Sequence, residues 1–252
     1  MGSETMPSDH IFHFSFFAAN ERATLGKQSA ELAWRKFLMF HNRVKVTLDL
    51  CTAHPQLILS EDKTSVSLER TWQVVPNNPE RFDCCCCVLG LEEFREGKHC
   101  WKVELRGELE KDSNLALGVA RESVKRKGGI NMSPEEGIWA LQYDEGQVMT
   151  LTSVPKRLSV SPVPMRIWVC LDYSAQQVSF INADNGEEIY TFTAASFNGE
   201  VMCPWFWLWT SSVQLCLRGS TPQTLSPDLE GSCPSPATPG SRLLDPAGAA
   251  QE

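Results

Sequence analysis

Residues 46–103 read VTLDLCTAHPQLILSEDKTSVSLERTWQVVPNNPERFDCCCCVLGLEEFREGKHCWKV. Apolar and polar residues alternate over short runs, and Pro, Gly, Asn, Asp and Ser punctuate them, the signature of brief half-buried strands joined by turns. Just upstream, Val44, Val46 and Leu48 alternate with Lys45, Thr47 and Asp49, which predicts a strand over 44–49. Further strands are expected at 56–59, 65–68, 86–89, 99–105, 115–120, 138–143, 149–151, 166–172, 177–182, 188–192, 202–209 and 214–217. Turn-rich segments at 75–79, 128–137 and 182–186 separate some of them, and Asp184, Asn185 and Gly186 supply the conformational tolerance of a hairpin loop. Many short strands with few helical patterns predict an all-β fold, a two-sheet antiparallel β-sandwich. Trp101, Leu115, Leu117, Val119, Leu171, Val178 and Phe180 sit at alternating strand positions. They are assigned to the core, because aromatic and branched side chains fill the ~10 Å gap between two sheets.

The flanks read differently. Over ERATLGKQSAELAWRKFLMFH at 21–41, Leu25, Leu32 and Met39 recur every seven residues, and Trp34 with Phe37 or Leu38 widens the stripe. A short N-terminal helix is therefore expected over 21–42, weakened by Gly26. It either packs on its own sandwich or ends a longer coiled coil or membrane-proximal stalk. Residues 1–20 are expected to be an unstructured leader. Their apolar stretch, Ile11–Ala19, is broken by His13 and Ser15 and preceded by Glu4 and Asp9 where a signal peptide would be basic. From Arg218 the last 35 residues hold six prolines, five serines and four glycines and no aromatic residue. Such a segment cannot bury enough apolar surface to offset ordering, so a disordered tail is expected over 218–252. The folded domain is placed at 43–217.

Of the net charge of −8, about −7 falls within 44–217. An acidic domain argues against nucleic acid or an anionic membrane as partner, since both demand clustered cations. No run approaches the ~18–20 apolar residues needed to span a bilayer. A cytoplasmic location with reduced thiols is the resulting expectation.

Cys84, Cys85, Cys86 and Cys87 form an unusual run. Strand neighbours point to opposite faces, so consecutive thiols do not converge on a metal, and the run is read as small apolar side chains. Zinc would need further ligands from Cys51, His54, His99 or Cys100 at spacings no zinc site uses. The sequence carries no G-x-S-x-G elbow, P-loop, H-E-x-x-H or dinucleotide fingerprint. His99 and Cys100 fall on opposite faces, and Glu92-Glu93 and Glu135-Glu136 read as solvated turns. No catalytic residue, cofactor or metal is assigned. A cysteine nucleophile within 84–87 remains the one enzymatic alternative, and it lacks a nearby base.

Several ordered blocks resemble one family. VTLDLCTAHPQLILSED at 46–62 resembles the opening of a PRY segment, with Leu50 where the family usually has proline, and NPERFDCCCCVLG at 78–90 is similar to its NPERF block. GKHCWKVEL at 97–105, ALGVARESVKRKG at 116–128, LDYSAQQVSFIN at 171–182 and IYTFT at 189–193 resemble successive SPRY blocks. In the strand at 97–105, Cys100 replaces an aromatic and Lys102 an acid. The chain is thus identified as a PRY-SPRY protein over about 43–217, the recognition module of butyrophilins and of tripartite-motif ubiquitin ligases. AELAWRKFLMFHNRVKVTLD at 30–49 resembles the stalk-to-domain junction of a butyrophilin, although a tripartite-motif coiled coil ends similarly.

That resemblance implies a concanavalin-like jelly roll whose edge loops bind a protein. The implied surface covers 69–72, 83–85, 106–114 and 205–209, with Arg70, Trp72, Cys84, Cys85, Trp205, Trp207 and Trp209 as contact residues; part of the tryptophan series is also read as core. A butyrophilin-type module in immune regulation is the first functional expectation. The other is the substrate-recognition domain of a tripartite-motif ligase, here without its zinc modules. If the parent is a butyrophilin, it sits at the plasma membrane. Some butyrophilins sense phosphorylated metabolites through a basic pocket. Here Cys84 and Cys85 stand where an aromatic and a histidine are expected, and Trp207 where an arginine is expected, so phosphoantigen binding is not anticipated.

Overall fold

The computed structural model describes residues 38–219. Thirteen strands follow one another: β1 (Asn42–Arg43), β2 (Leu57–Leu59), β3 (Ser65–Leu68), β4 (Cys87–Leu89), β5 (Lys98–Gly107), β6 (Leu115–Arg121), β7 (Ile138–Asp144), β8 (Gln147–Thr150), β9 (Arg166–Asp172), β10 (Gln177–Asn182), β11 (Glu188–Phe192), β12 (Met202–Leu208) and β13 (Val213–Arg218). They form two sheets. One runs β11-β10-β9-β5-β13-β3-β2, with β1 parallel to the start of β5, and the other runs β4-β12-β6-β7-β8. All other pairings are antiparallel. The expected sandwich is therefore present.

Period-two alternation accounts for the packing. Trp101, Val103 and Leu105 of β5 and Leu115, Leu117 and Val119 of β6 are all buried, and they meet between the sheets with Leu171, Val178 and Phe180. Every residue assigned to the core from sequence lies there. A second apolar cluster covers the other face of the five-stranded sheet. Leu89, Ala116, Ala140 and Trp205 pack there beneath Phe82, Val124, Ile130 and Met132 from the overlying loops.

One strand expectation needs correction. Residues 44–49 bury Val46 and Leu48, but only an isolated bridge, Leu48 to Gly90, joins them to a sheet. Their backbone bonds scatter: Val44 donates to Cys100, Leu48 to Lys63 and Asp49 to Leu89, while Leu91 donates to Thr47. A segment serving that many partners cannot run in a single ladder. The N-terminal helix expected at 21–42 lies mostly outside the described residues. Of its end, Leu38 and Met39 are helical whereas Asn42–Arg43 is a strand. The leader at 1–20 also lies outside them, as does the tail from 220 onward.

Gly118 fixes how tightly the five-stranded sheet is packed. A Cβ there would stand 2.2 Å from the Trp139 carbonyl oxygen and 2.6 Å from the Ala140 Cα, both backbone atoms. Neither can move without shifting β7. Gly118→Ala is accordingly expected to destabilise the domain by about 1–3 kcal/mol, the range for overpacked cores, seen as a lower urea midpoint. An unchanged midpoint would mean that β7 yields.

Candidate functional site

Three connections converge at one end of the sandwich: the segment after β3, the β5–β6 connection and the β12–β13 turn. Between them lies a groove of about 680 Å³. Leu68, Glu69, Arg70, Glu110, Asp112 and Trp209 line it, together with Gln56 and the turn residues 210–212. Trp209 is 58% exposed and Trp72, nearby in sequence to Arg70, is 59% exposed. A large aromatic left in water on a rigid frame is a ready anchor for a partner.

The frame is rigid for identifiable reasons. The Gln56 Nε2 donates to the Arg70 carbonyl at 3.2 Å, and the Gln73 Nε2 donates to the Leu57 carbonyl at 2.9 Å, which ties the 69–73 segment to β2. On the far wall the Trp209 N–H donates to the Asn114 carbonyl at 2.8 Å. Beneath it the hydroxyls of Ser113, Thr210 and Ser212 bond one another, Ser113 to Ser212 at 2.9 Å and Thr210 to Ser212 at 2.8 Å. Gly107 ends β5 with φ +120°, and a Cβ there would lie 2.1 Å from the Ser212 carbonyl oxygen. Glycine is what lets the last residue of β5 press against the turn that carries Trp209.

Arg81 of the NPERF block does comparable work behind the groove. Only 4% exposed, it donates to the carbonyls of Pro76, Leu50 and Ala53 at 2.9, 3.0 and 2.6 Å. Burial lowers its pKa, and three carbonyl acceptors offset the desolvated charge. It thereby holds the stretch that delivers His54 and Gln56.

His54 is buried, with its ring edge against Trp72 at 5.0 Å and its Nδ1 3.5 Å from the Cys86 Sγ. Nδ1 also accepts the Gln56 backbone N–H at 3.2 Å, which assigns the ring proton of the neutral form to Nε2. This Cys–His contact was not foreseen, because its partners lie 32 residues apart. Burial raises the Cys86 thiol to about 11 and lowers the His54 pKa, so both stay neutral near pH 7. The contact foreseen as unproductive, His99 with Cys100, is indeed split. His99 stacks on Phe94 at 4.4 Å, while Cys100 packs with Trp168 and Cys170 on the outer face of the larger sheet.

The seven proposed contact residues therefore divide. Arg70 and Trp209 line the groove, while Trp72 is exposed outside its lining. Cys84 is exposed and Cys85 half-buried against the loop cluster, in a bend before β4. Trp207 is half-buried, paired opposite Cys87. Trp205 is a correction: it is fully buried and belongs to the core. Its face of the sheet is covered by the 122–132 loop and Phe82, a tertiary fact that strand alternation cannot reveal. Within the cysteine run Cys86 and Cys87 enter different apolar clusters, as alternation requires. Eight described cysteines are free. Sequence reasoning stopped at Trp209 and missed Gln56 and the hydroxyl turn at 210–212. Among the described residues no group of three or more His, Cys, Asp or Glu side chains could hold a metal ion.

Comparison with known proteins agrees with this architecture. Residues 46–94 match the SPRY-associated domain family, PRY, and residues 98–220 match the SPRY domain family. Together these segments form a PRY-SPRY domain. Butyrophilin subfamily 1 member A1 of Bos taurus is 39% identical over 212 residues, which is 84% of this chain and 38% of that protein. Tripartite motif-containing protein 10 of Sus scrofa is 40% identical over 173 residues, 69% of this chain and 35% of that protein. The chain thus spans little more than a third of either relative. The TRIM65 PSpry crystal structure superposes with a TM-score of 0.61 at 24% identity, over 74% of this chain and 94% of that one, which supports the fold. SPRY domains are protein-interaction modules, and in this PRY-SPRY domain the edge groove carries the exposed Trp209.

The depressed pKa of His54 makes a stability prediction. Its neutral form is favoured in the fold, so its contribution is complete above the ordinary value of 6.5 and is lost as pH falls from there toward the lowered folded value. In urea titrations the stability gap between wild type and His54→Gln should narrow between about pH 7.5 and about pH 5. A gap that widens on acidification would mean that His54 is charged in the fold.

Proposed function

We propose that this chain is a non-catalytic protein-recognition module of butyrophilin type, acting in the cytoplasm in immune regulation. The observation that carries the reading is the groove itself, where Arg70 and the exposed Trp209 meet on walls fixed by hydrogen bonds. Alignment to the butyrophilin extends over 84% of the chain against 69% for the tripartite-motif protein, which favours the first parentage. Substrate recognition for a tripartite-motif ligase is the second reading, supported by the same domain pair and by that 40% identity. A non-catalytic role agrees with the neutral Cys86–His54 pair, the nearest approach to a nucleophile and base around the groove. Among the described residues no helix is long and apolar enough to cross a membrane.

Affinity capture from lymphocyte lysate with wild type and with Arg70→Ala/Trp209→Ala tests the site. Specific proteins held by the wild type should fall by about tenfold or more with the double variant, the scale of losing interface anchors. An unchanged set would remove the groove from the proposal. Immunoblots of fractionated cells with an antibody to 44–217 separate the parentages, a large glycosylated membrane band favouring the butyrophilin.

The groove also bears on phosphoantigens. It presents Glu69, Glu110 and Asp112 against the single cation Arg70, and a pyrophosphate needs several cations or backbone donors. Calorimetry with an isoprenoid pyrophosphate is expected to show no binding. Micromolar, salt-sensitive heat would overturn that expectation.

A further inference from the structure

The charges around the groove are uncompensated. Glu69, Arg70, Glu110 and Asp112 are all exposed, and none has an ion-pair partner within 4.0 Å among the described residues. The neighbouring cations are turned elsewhere. Arg106 pairs with Glu104 at 3.7 Å, and Lys111 lies outside the lining with its stem beside Gly146. Three carboxylates and one guanidinium thus face a cleft whose upper wall is the exposed Trp209 indole.

Each class of occupant meets this arrangement differently. An acidic segment would be repelled by three carboxylates. A wholly apolar one would desolvate them without return. A cationic side chain gains twice, from the carboxylates and from the face of the indole, which attracts a guanidinium or ammonium. The hydroxyls of the 210–212 turn leave polar acceptors along the same wall.

Building on the reading of the groove as the recognition site, we propose that its occupant is an arginine- or lysine-bearing segment of the partner protein. One cationic side chain lies over the Trp209 indole, within reach of the Glu69, Glu110 and Asp112 carboxylates, and Arg70 selects a single acidic or carbonyl acceptor elsewhere on the segment.

A displayed library of random twelve-residue peptides, selected on the immobilised full chain and counter-selected on Trp209→Ala, is the test. Trp209-dependent winners should be rich in Arg and Lys. Synthesised as free peptides, they should lose affinity by about tenfold or more on Glu110→Gln/Asp112→Asn, and should weaken as NaCl rises from about 50 mM to about 500 mM. Both variants alter exposed side chains, and matched thermal unfolding confirms that they fold. Trp209-dependent winners that are acidic or uncharged, or that ignore the double variant, would overturn the cationic assignment while leaving the groove as the site. Absence of any Trp209-dependent winner would overturn the groove and, with it, the assignment of its occupant.

Discussion

The rest of the sandwich depends on the pairing of β5. It bonds β9 from Lys98 to Glu104, β13 from Lys102 to Gly107, and β1 at His99 and Cys100. Among the described residues no other strand serves three partners, and the geometry explains how this one does. β13 ends opposite Lys102, which leaves the first residues of β5 open on that side for β1. The same ten residues supply Trp101, Val103 and Leu105 to the inter-sheet core and Cys100 to the outer face. Trp101 is 1% exposed and stacks on Phe94 at 5.7 Å, so the strand also locks the end of the PRY segment against the SPRY segment. The two matched families are therefore one folding unit, joined through an aromatic stack as well as through the chain.

That central strand also sets the groove. Its last residue is Gly107, whose backbone abuts the Ser212 carbonyl, and the turn at 209–212 is consequently held at a fixed height above β5. The opposite wall reaches β13 through β3 and is stapled to β2 by Gln56 and Gln73. Loops carried this way give up much of their conformational entropy on folding. Strand order and loop presentation are thus a single problem in this molecule.

Much of this was legible in the sequence. The strands at 65–68, 166–172, 177–182 and 188–192 lie where alternation puts them, and the burial of Leu115, Leu117 and Val119 follows from period two. What alternation cannot convey is which face is covered by something else. Trp205, Trp207 and Trp209 share one side of their segment, yet they pass from fully buried to half-buried to exposed as the segment runs out from under the loop cluster. The failure at 44–49 has the same root. Its side chains obey alternation, and its backbone does not form a ladder because its bonds go to 63, 89, 91 and 100. Gln56 and the hydroxyl turn were invisible for a related reason, since their roles arise from contacts across loops.

The cysteine run shows how far composition misleads when read without burial. Four consecutive thiols suggest redox or metal chemistry, but the two that are buried, Cys86 and Cys87, go to different clusters, and burial drives both thiols toward their neutral form. Cys86 contributes instead as a small polarisable filler between His54 and Gln56, and Gln56 in turn holds the Arg70 carbonyl. A larger side chain at that position would need more room, and a basic one would also bring a charge to be solvated. The chain uses a neutral, compact cluster as footing and leaves its charges on the groove above. Those charges are the Glu69, Glu110 and Asp112 carboxylates and the Arg70 guanidinium, which share the groove with the exposed Trp209 indole.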